Sequence, residues 1–212
     1  MLIAGELDIE LPEINFQDVY DFIERTRSIH HDNDKLCMEE KTYFLRNNKK
    51  YPWDRRILEF NGTKFFNYDS LPPFDKLTKI IDSLPIDSES RVVFLLSQIQ
   101  QSDYDFNFHF DKDQEYGFRI AYGLNPNKPF LEFAKLKDSF IHLKTSLFRI
   151  EQHMMEDESF SLVPRVPNTV FCVTGNLPHR VPITHSANRF VVGVRGKLKN
   201  LDSLIFKSRI DI

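Results

Sequence analysis

Cysteine is scarce: Cys37 and Cys172 are the two thiols in 212 residues. Two are too few for a disulfide framework, so both read as packed thiols in a reducing compartment. Glycine is sparse as well, seven in all, which argues against a glycine-loop nucleotide binder. No apolar run approaches the roughly 20 residues of a membrane span. The opening Met1-Leu2-Ile3-Ala4-Gly5-Glu6 lacks a basic region ahead of a long apolar one. The formal net charge is only -3, giving no general pull toward nucleic acid or anionic membrane. A soluble, cytoplasmic protein is the expectation.

Aromatic side chains are abundant by contrast. Twenty phenylalanines, in a chain that is 41% hydrophobic and 28% charged, suggest a strand-rich, aromatic-packed interior. This length fits one domain, divided as 1–90 (α+β support), 91–196 (core) and 197–212 (C-terminal extension). Leu2 to Leu11 has strand character. A helix follows, capped by Asn15, with Asp18 in a capping-box-like position and Phe16, Val19, Tyr20 and Ile23 as its apolar stripe. Arg46 to Arg56 is polar and basic and reads as an exposed connection. Leu58 to Tyr68 reads as two short strands turning at Asn61-Gly62. Pro72-Pro73 opens a second helix, which carries Phe74, Leu77, Ile80, Ile81 and Leu84 on one face and ends before Pro85.

From Arg91 the pattern becomes β. Arg91–Gln98, Tyr104–Phe110, Tyr116–Leu124, Phe130–Leu136, Phe140–Phe148, Thr169–Thr174, His179–Ile183 and Arg189–Arg195 all read as strands. Glu151–Ser159 reads as a loop or short helix. Many strands at short spacing imply a sandwich or barrel. The expected class is mainly β with flanking helices, a jelly roll packed against N-terminal helices.

The chemistry centres on Phe106-Asn107-Phe108-His109-Phe110-Asp111. Alternation along a strand puts His109 and Asp111 on one face and Phe108 and Phe110 on the other. An imidazole and a carboxylate side by side can hold two corners of a metal coordination sphere. A histidine from a distant strand would complete a two-His-one-carboxylate face and leave positions open for a co-substrate and dioxygen. His179 follows the apolar run Val170-Phe171-Cys172-Val173 and lies ten residues before Arg189. His185 and Arg195 repeat that spacing. The first pair is preferred, because Arg189 opens a strand in phase with Val191 and Gly193. A second His-x-Asp, His30-His31-Asp32, follows a helix and reads as surface.

These stretches, His109-Phe110-Asp111 running into Arg119-Ile120-Ala121-Tyr122-Gly123-Leu124 and His179-Arg180-Val181 running to Arg189-Phe190-Val191-Val192, resemble a known family. The ordering is similar to the double-stranded β-helix (cupin-like jelly roll) of Fe(II)- and 2-oxoglutarate-dependent dioxygenases, within the aspartyl/asparaginyl β-hydroxylase-like branch that includes bacterial proline hydroxylases. The likeness covers about Arg91 to Arg195. It implies that His109, Asp111 and His179 bind iron and that Arg189 grips the distal carboxylate of 2-oxoglutarate. It also implies an arginine at Arg119 facing a substrate or co-substrate carboxylate. The activity implied is hydroxylation of a C–H bond in a free amino acid or a peptide side chain, with release of succinate and CO2.

The chain departs from that pattern in places. Asp111 is present where the animal β-hydroxylases lack a ligand carboxylate, which also argues against a halogenase. Ala121 stands where those enzymes place a histidine. Two other readings stand beside the hydroxylase: a non-catalytic jelly-roll module for an acidic small molecule or peptide, and a cupin-like metal enzyme that needs no 2-oxoglutarate. Asn107 shares the face of His109 and reads as a structural hydrogen-bonding group, Tyr122 as packing, and His142 and His153 as ordinary. The basic stretch Arg46, Lys49, Lys50, Arg55 and Arg56, with Tyr51 and Trp53, reads as a solvated loop or lid, not a nucleic-acid surface.

Overall fold

The computed structural model describes residues 1–26, 53–64, 72, 74–98, 108–111, 115–143, 150–182 and 189–211. His30-His31-Asp32, Cys37, Arg46 to Tyr51, Tyr104 to Asn107 and His185 lie outside them.

The chain is mainly β. Eight strands form one antiparallel sheet: β1 (Leu2–Leu7), β2 (Trp53–Phe60), β3 (Thr63–Lys64), β4 (Val92–Gln98), β5 (Tyr116–Tyr122), β8 (Thr169–Thr174), β10 (Arg189–Arg195) and β11 (Phe206–Asp211). Their order is β11-β1-β8-β5-β10-β4-β2-β3. A smaller sheet holds β7 (Met155–Leu162), β6 (Leu131–Leu136) and β9 (His179–Arg180) in that order, and His109 extends it by a bridge to His179. The first ninety residues therefore supply β1, β2 and β3 to the large sheet, and β11 pairs with β1 beyond residue 197.

The central strands form for a simple reason. β5, β8 and β10 are covered on both faces, so the sequence offers nearly unbroken apolar and β-branched runs. Phe118, Ile120, Val170, Cys172, Phe190, Val192 and Val194 point to one face, under the helices. Ala121, Phe171, Val173 and Val191 point to the other and meet Leu131, Phe133 and Leu162 of the small sheet. Burying a phenylalanine contributes about 1.5–3 kcal/mol, so the space between these layers carries much of the stability. Phe108, Phe110, Ala134, Leu136, Ile150 and Met155 cover the outer face of the small sheet.

Helix α1 (Phe16–Thr26) starts where the Gln17 amide donates to Asn15 Oδ1 at 3.0 Å, as the capping residue predicts. Its Phe22 meets Phe74 edge-on, with centroids 4.8 Å apart. The second helical stretch is a 3₁₀ turn over Phe74–Leu77 continuing as α2 (Thr78–Ser83). The β2–β3 hairpin turns at Asn61 and Gly62, both at positive φ (48° and 72°). That conformation makes Asn-Gly the favoured pair. Among the described residues, no helix is long and apolar enough to cross a membrane.

Three expectations need correction. Trp53 to Arg56 belongs to β2, paired with β4, and is not a free connection. Glu151–Ser159 is neither loop nor helix for most of its length: a 3₁₀ turn over Gln152–Met154 leads into β7. Among the described residues that strand pairs with β6 alone and exposes half of its side chains, so its charges sit at a sheet edge where they are tolerated. Phe140 does not begin a strand. Its amide closes on the Lys137 carbonyl at 2.8 Å, within a 3₁₀ stretch over Asp138–Leu143.

Candidate metal centre

The site starts with backbone pairing. The His109 amide donates to the His179 carbonyl at 3.0 Å, and the His179 amide donates back to His109 at 2.9 Å. A pair held by both bonds places its side chains on one side of the sheet, and the two rings lie with centroids 4.7 Å apart. Strand alternation carries Asp111 to the same face and sends Phe108 and Phe110 into the outer cluster. The result is a cluster of one nitrogen from each histidine and one Asp111 oxygen, all within 4.8 Å of one another.

His179 is the most constrained of the three. It is 4% exposed and faces Phe133, its partner on β6. Nδ1 lies 3.1 Å from the Leu177 carbonyl. A carbonyl oxygen only accepts, so Nδ1 carries the hydrogen there and Nε2 is turned to Asp111, 3.5 Å from Oδ2. Fixing one ring nitrogen so that the other can ligate is how second partners orient metal-binding histidines. Burial alone would raise the Asp111 carboxyl. His179, then Arg119 and His109, more than offset this and hold it well below the usual carboxylate range. Asp111 is therefore ionised and ready to ligate near neutral pH.

Two arginines share the inner face of the large sheet with this cluster. Arg119 on β5 donates from Nη2 to Asp111 Oδ2 at 2.7 Å and from Nη1 to the Phe118 carbonyl at 3.2 Å. Arg189 opens β10 in phase with Val191 and is 3% exposed. Burial lowers its pKa to about 10, which leaves it cationic at neutral pH. Arg119 pairs with Gly193, four residues from Arg189, a span of about 13 Å at the usual strand rise. Ala121 and Val191, paired with each other, line the face between the two guanidiniums.

The structure thus brings His109, Asp111, His179 and Arg119 together and places Arg189 farther along the same inner face. Arg195 also lies on that face, with its guanidinium 5.4 Å from the Phe94 ring centre, so it is not simply turned to solvent. Tyr122 is packing, as expected: it is 1% exposed and stacks on Phe190 at 4.8 Å. His153 is exposed beside Glu151. The sequence reading passed over Glu6, buried on the inner face with Oε1 accepting from Thr169 Oγ1 at 3.0 Å. Phe94 was passed over and Gly193 served only to mark the strand's phase, yet both shape the surroundings of Arg119. Their part depends on which strands neighbour one another, and no local spacing encodes that.

Two imidazoles and one carboxylate on one side of a prospective ion form a two-His-one-carboxylate face, the donor set that suits non-haem Fe(II) with open positions. No protein-family model matches the chain, and no curated protein matches it significantly. Among solved structures, the chain is similar to a crystal structure of an oxidoreductase of the 2OG-Fe(II) oxygenase family from Burkholderia pseudomallei. The identity is 11% and the TM-score 0.38, over 92% of this chain and 98% of that one.

Proposed function

We propose that this protein is an Fe(II)- and 2-oxoglutarate-dependent dioxygenase. The observation that carries the reading is the convergence of His109, Asp111 and His179, remote in sequence, on one point between the sheets. The donor set fits ferrous iron: nitrogen and oxygen ligands, His179 Nε2 aimed by the Leu177 carbonyl, and an ionised Asp111. The strand order also supports it. The four strands β4, β10, β5 and β8 face β7, β6, β9 and the His109 segment, which we read as an eight-stranded double-stranded β-helix.

Arg189 would hold the distal carboxylate of 2-oxoglutarate. A guanidinium offers a planar fork that stays charged and bonds a carboxylate through two parallel N–H groups, which a lysine cannot match. Its buried position on the inner face keeps water from competing. Arg119, bonded to Asp111, adds a second cation to the polar lining beside the metal-binding group. Iron with bound 2-oxoglutarate supplies the oxidising power for a C–H bond, with succinate and CO2 released. The protein binds, orients and excludes water. The resembling branch suggests a free amino acid or a peptide side chain as substrate.

Succinate formation from 2-oxoglutarate, screened against free amino acids and short peptides, tests the reading. Succinate that requires Fe(II) and disappears in Asp111→Ala supports it. Metal binding with no succinate from any candidate would instead favour a binding module on the same scaffold.

A further inference from the structure

Arg119 departs from the carboxylate-facing role that the resemblance implies. Its Nη2 is spent on Asp111, at 2.7 Å, and Nη1 on the Phe118 carbonyl, at 3.2 Å. The guanidinium also lies over the Phe94 ring, 5.6 Å from its centre, while Arg195 lies 5.4 Å from the same centre. Phe94 occupies that place because its partner across the strands, Gly193, has no side chain: a Cβ there would stand 2.2 Å from the ring. Gly193 in turn pairs with Arg119 on its other side. A continuous line of contact runs from Gly193 through Phe94 and Arg119 to the carboxylate of Asp111.

We propose that Arg119 is a positioning residue for the metal ligand Asp111, and that Gly193 and Phe94 are its support. The inference rests on the metal-binding reading given above. Arg119 holds Oδ2, the oxygen that also faces His179 Nε2 at 3.5 Å, by a charge-assisted bond, and so fixes the carboxylate in one orientation toward the histidines. Without Arg119 the carboxylate is free to rotate and to chelate through both oxygens, which closes a position that the open face keeps available. The opposing effect is electrostatic: a guanidinium repels a divalent cation, so its removal could tighten binding. The half-buried, doubly bonded guanidinium favours positioning, since loss of an outer-shell partner costs metal affinity roughly 10–100-fold.

Cobalt(II) titration of the metal-free protein separates the two effects, followed by calorimetry and by the visible ligand-field spectrum. Arg119→Met should weaken Co(II) binding by roughly 10–100-fold and change the band position and intensity. Arg119→Lys, which keeps the charge, should recover part of the affinity. Gly193→Ala leaves every ligand intact and displaces Phe94, so it should shift the spectrum in the same direction as Arg119→Met. This variant and Arg119→Lys carry the test if Arg119→Met does not fold. Co(II) binding that is unchanged or tighter in folded variants, with the wild-type spectrum, overturns the inference. Wild-type Co(II) binding by Asp111→Ala would instead overturn the metal site itself.

Discussion

His109 and His179 donate backbone hydrogen bonds to each other, at 3.0 and 2.9 Å, across a bridge that joins segments seventy residues apart. The two rings are aligned by main-chain pairing and not by side-chain packing alone, so the ligand geometry is as rigid as the sheet that holds it. Asp111 follows from alternation on the same strand. Donor groups set on paired backbone need little reorganisation when an ion arrives.

Replacing Arg189 separates co-substrate binding from metal binding. Arg189→Met removes the buried guanidinium and leaves His109, Asp111 and His179 untouched. Losing one partner of a desolvated charge pair costs about 2–5 kcal/mol, so half-saturation by 2-oxoglutarate should rise at least about 30-fold. Metal affinity, measured by Co(II) titration, should stay within a factor of a few. An Arg189→Met protein that binds 2-oxoglutarate normally would remove Arg189 from the site.

Arg91 governs stability on the far side of the large sheet. Its Nε and Nη2 bond both oxygens of Glu59, at 2.8 and 3.2 Å, and Nη1 reaches Asp82 at 2.7 Å. Glu59 is 1% exposed, so Arg91→Met would take the guanidinium away from a buried carboxylate. Breaking a buried pair from one side costs about 3–5 kcal/mol, and denaturant unfolding should show an unfolding free energy lower by that amount, read as a lower midpoint with little change in slope. The double change Arg91→Met with Glu59→Leu should recover much of the loss.

The thiol of Cys172, on β8, is buried in the core cluster on the outer face of the large sheet, and burial pushes its pKa up to about 12. Two measurements follow. Native protein at pH 8 should resist alkylation at Cys172, which becomes labelled only on unfolding, as peptide mass mapping would show. The folded state also holds its thiol proton longer than the unfolded chain. The contribution of Cys172 to stability is therefore full below about pH 9 and is lost as pH rises from there toward about 12. Cys172→Ala should remove that part of the alkaline slope.

The legible parts of the sequence were those whose physics is local. β4, β5, β8 and β10 are buried on both faces, so their composition alone marks them. Asn15 and Asn61-Gly62 announced a helix start and a hairpin because capping and positive φ select those residues. β7 and β11 were not legible, since a strand at an edge alternates into solvent and carries charges like a loop. The grouping of His109, Asp111 and His179 was marked by their order and by the family that order resembles. The bond from Arg119 to Asp111 could not, because it spans the two sheets and exists only once they face each other.

The central claim is that His109, Asp111 and His179 hold ferrous iron to which 2-oxoglutarate adds. Anaerobic titration of the metal-free protein with Fe(II) and 2-oxoglutarate together tests it most directly. A weak visible charge-transfer band that needs both components and is absent from Asp111→Ala is the expected result. Wild-type protein that gives no band, or a band that survives in Asp111→Ala, would contradict it.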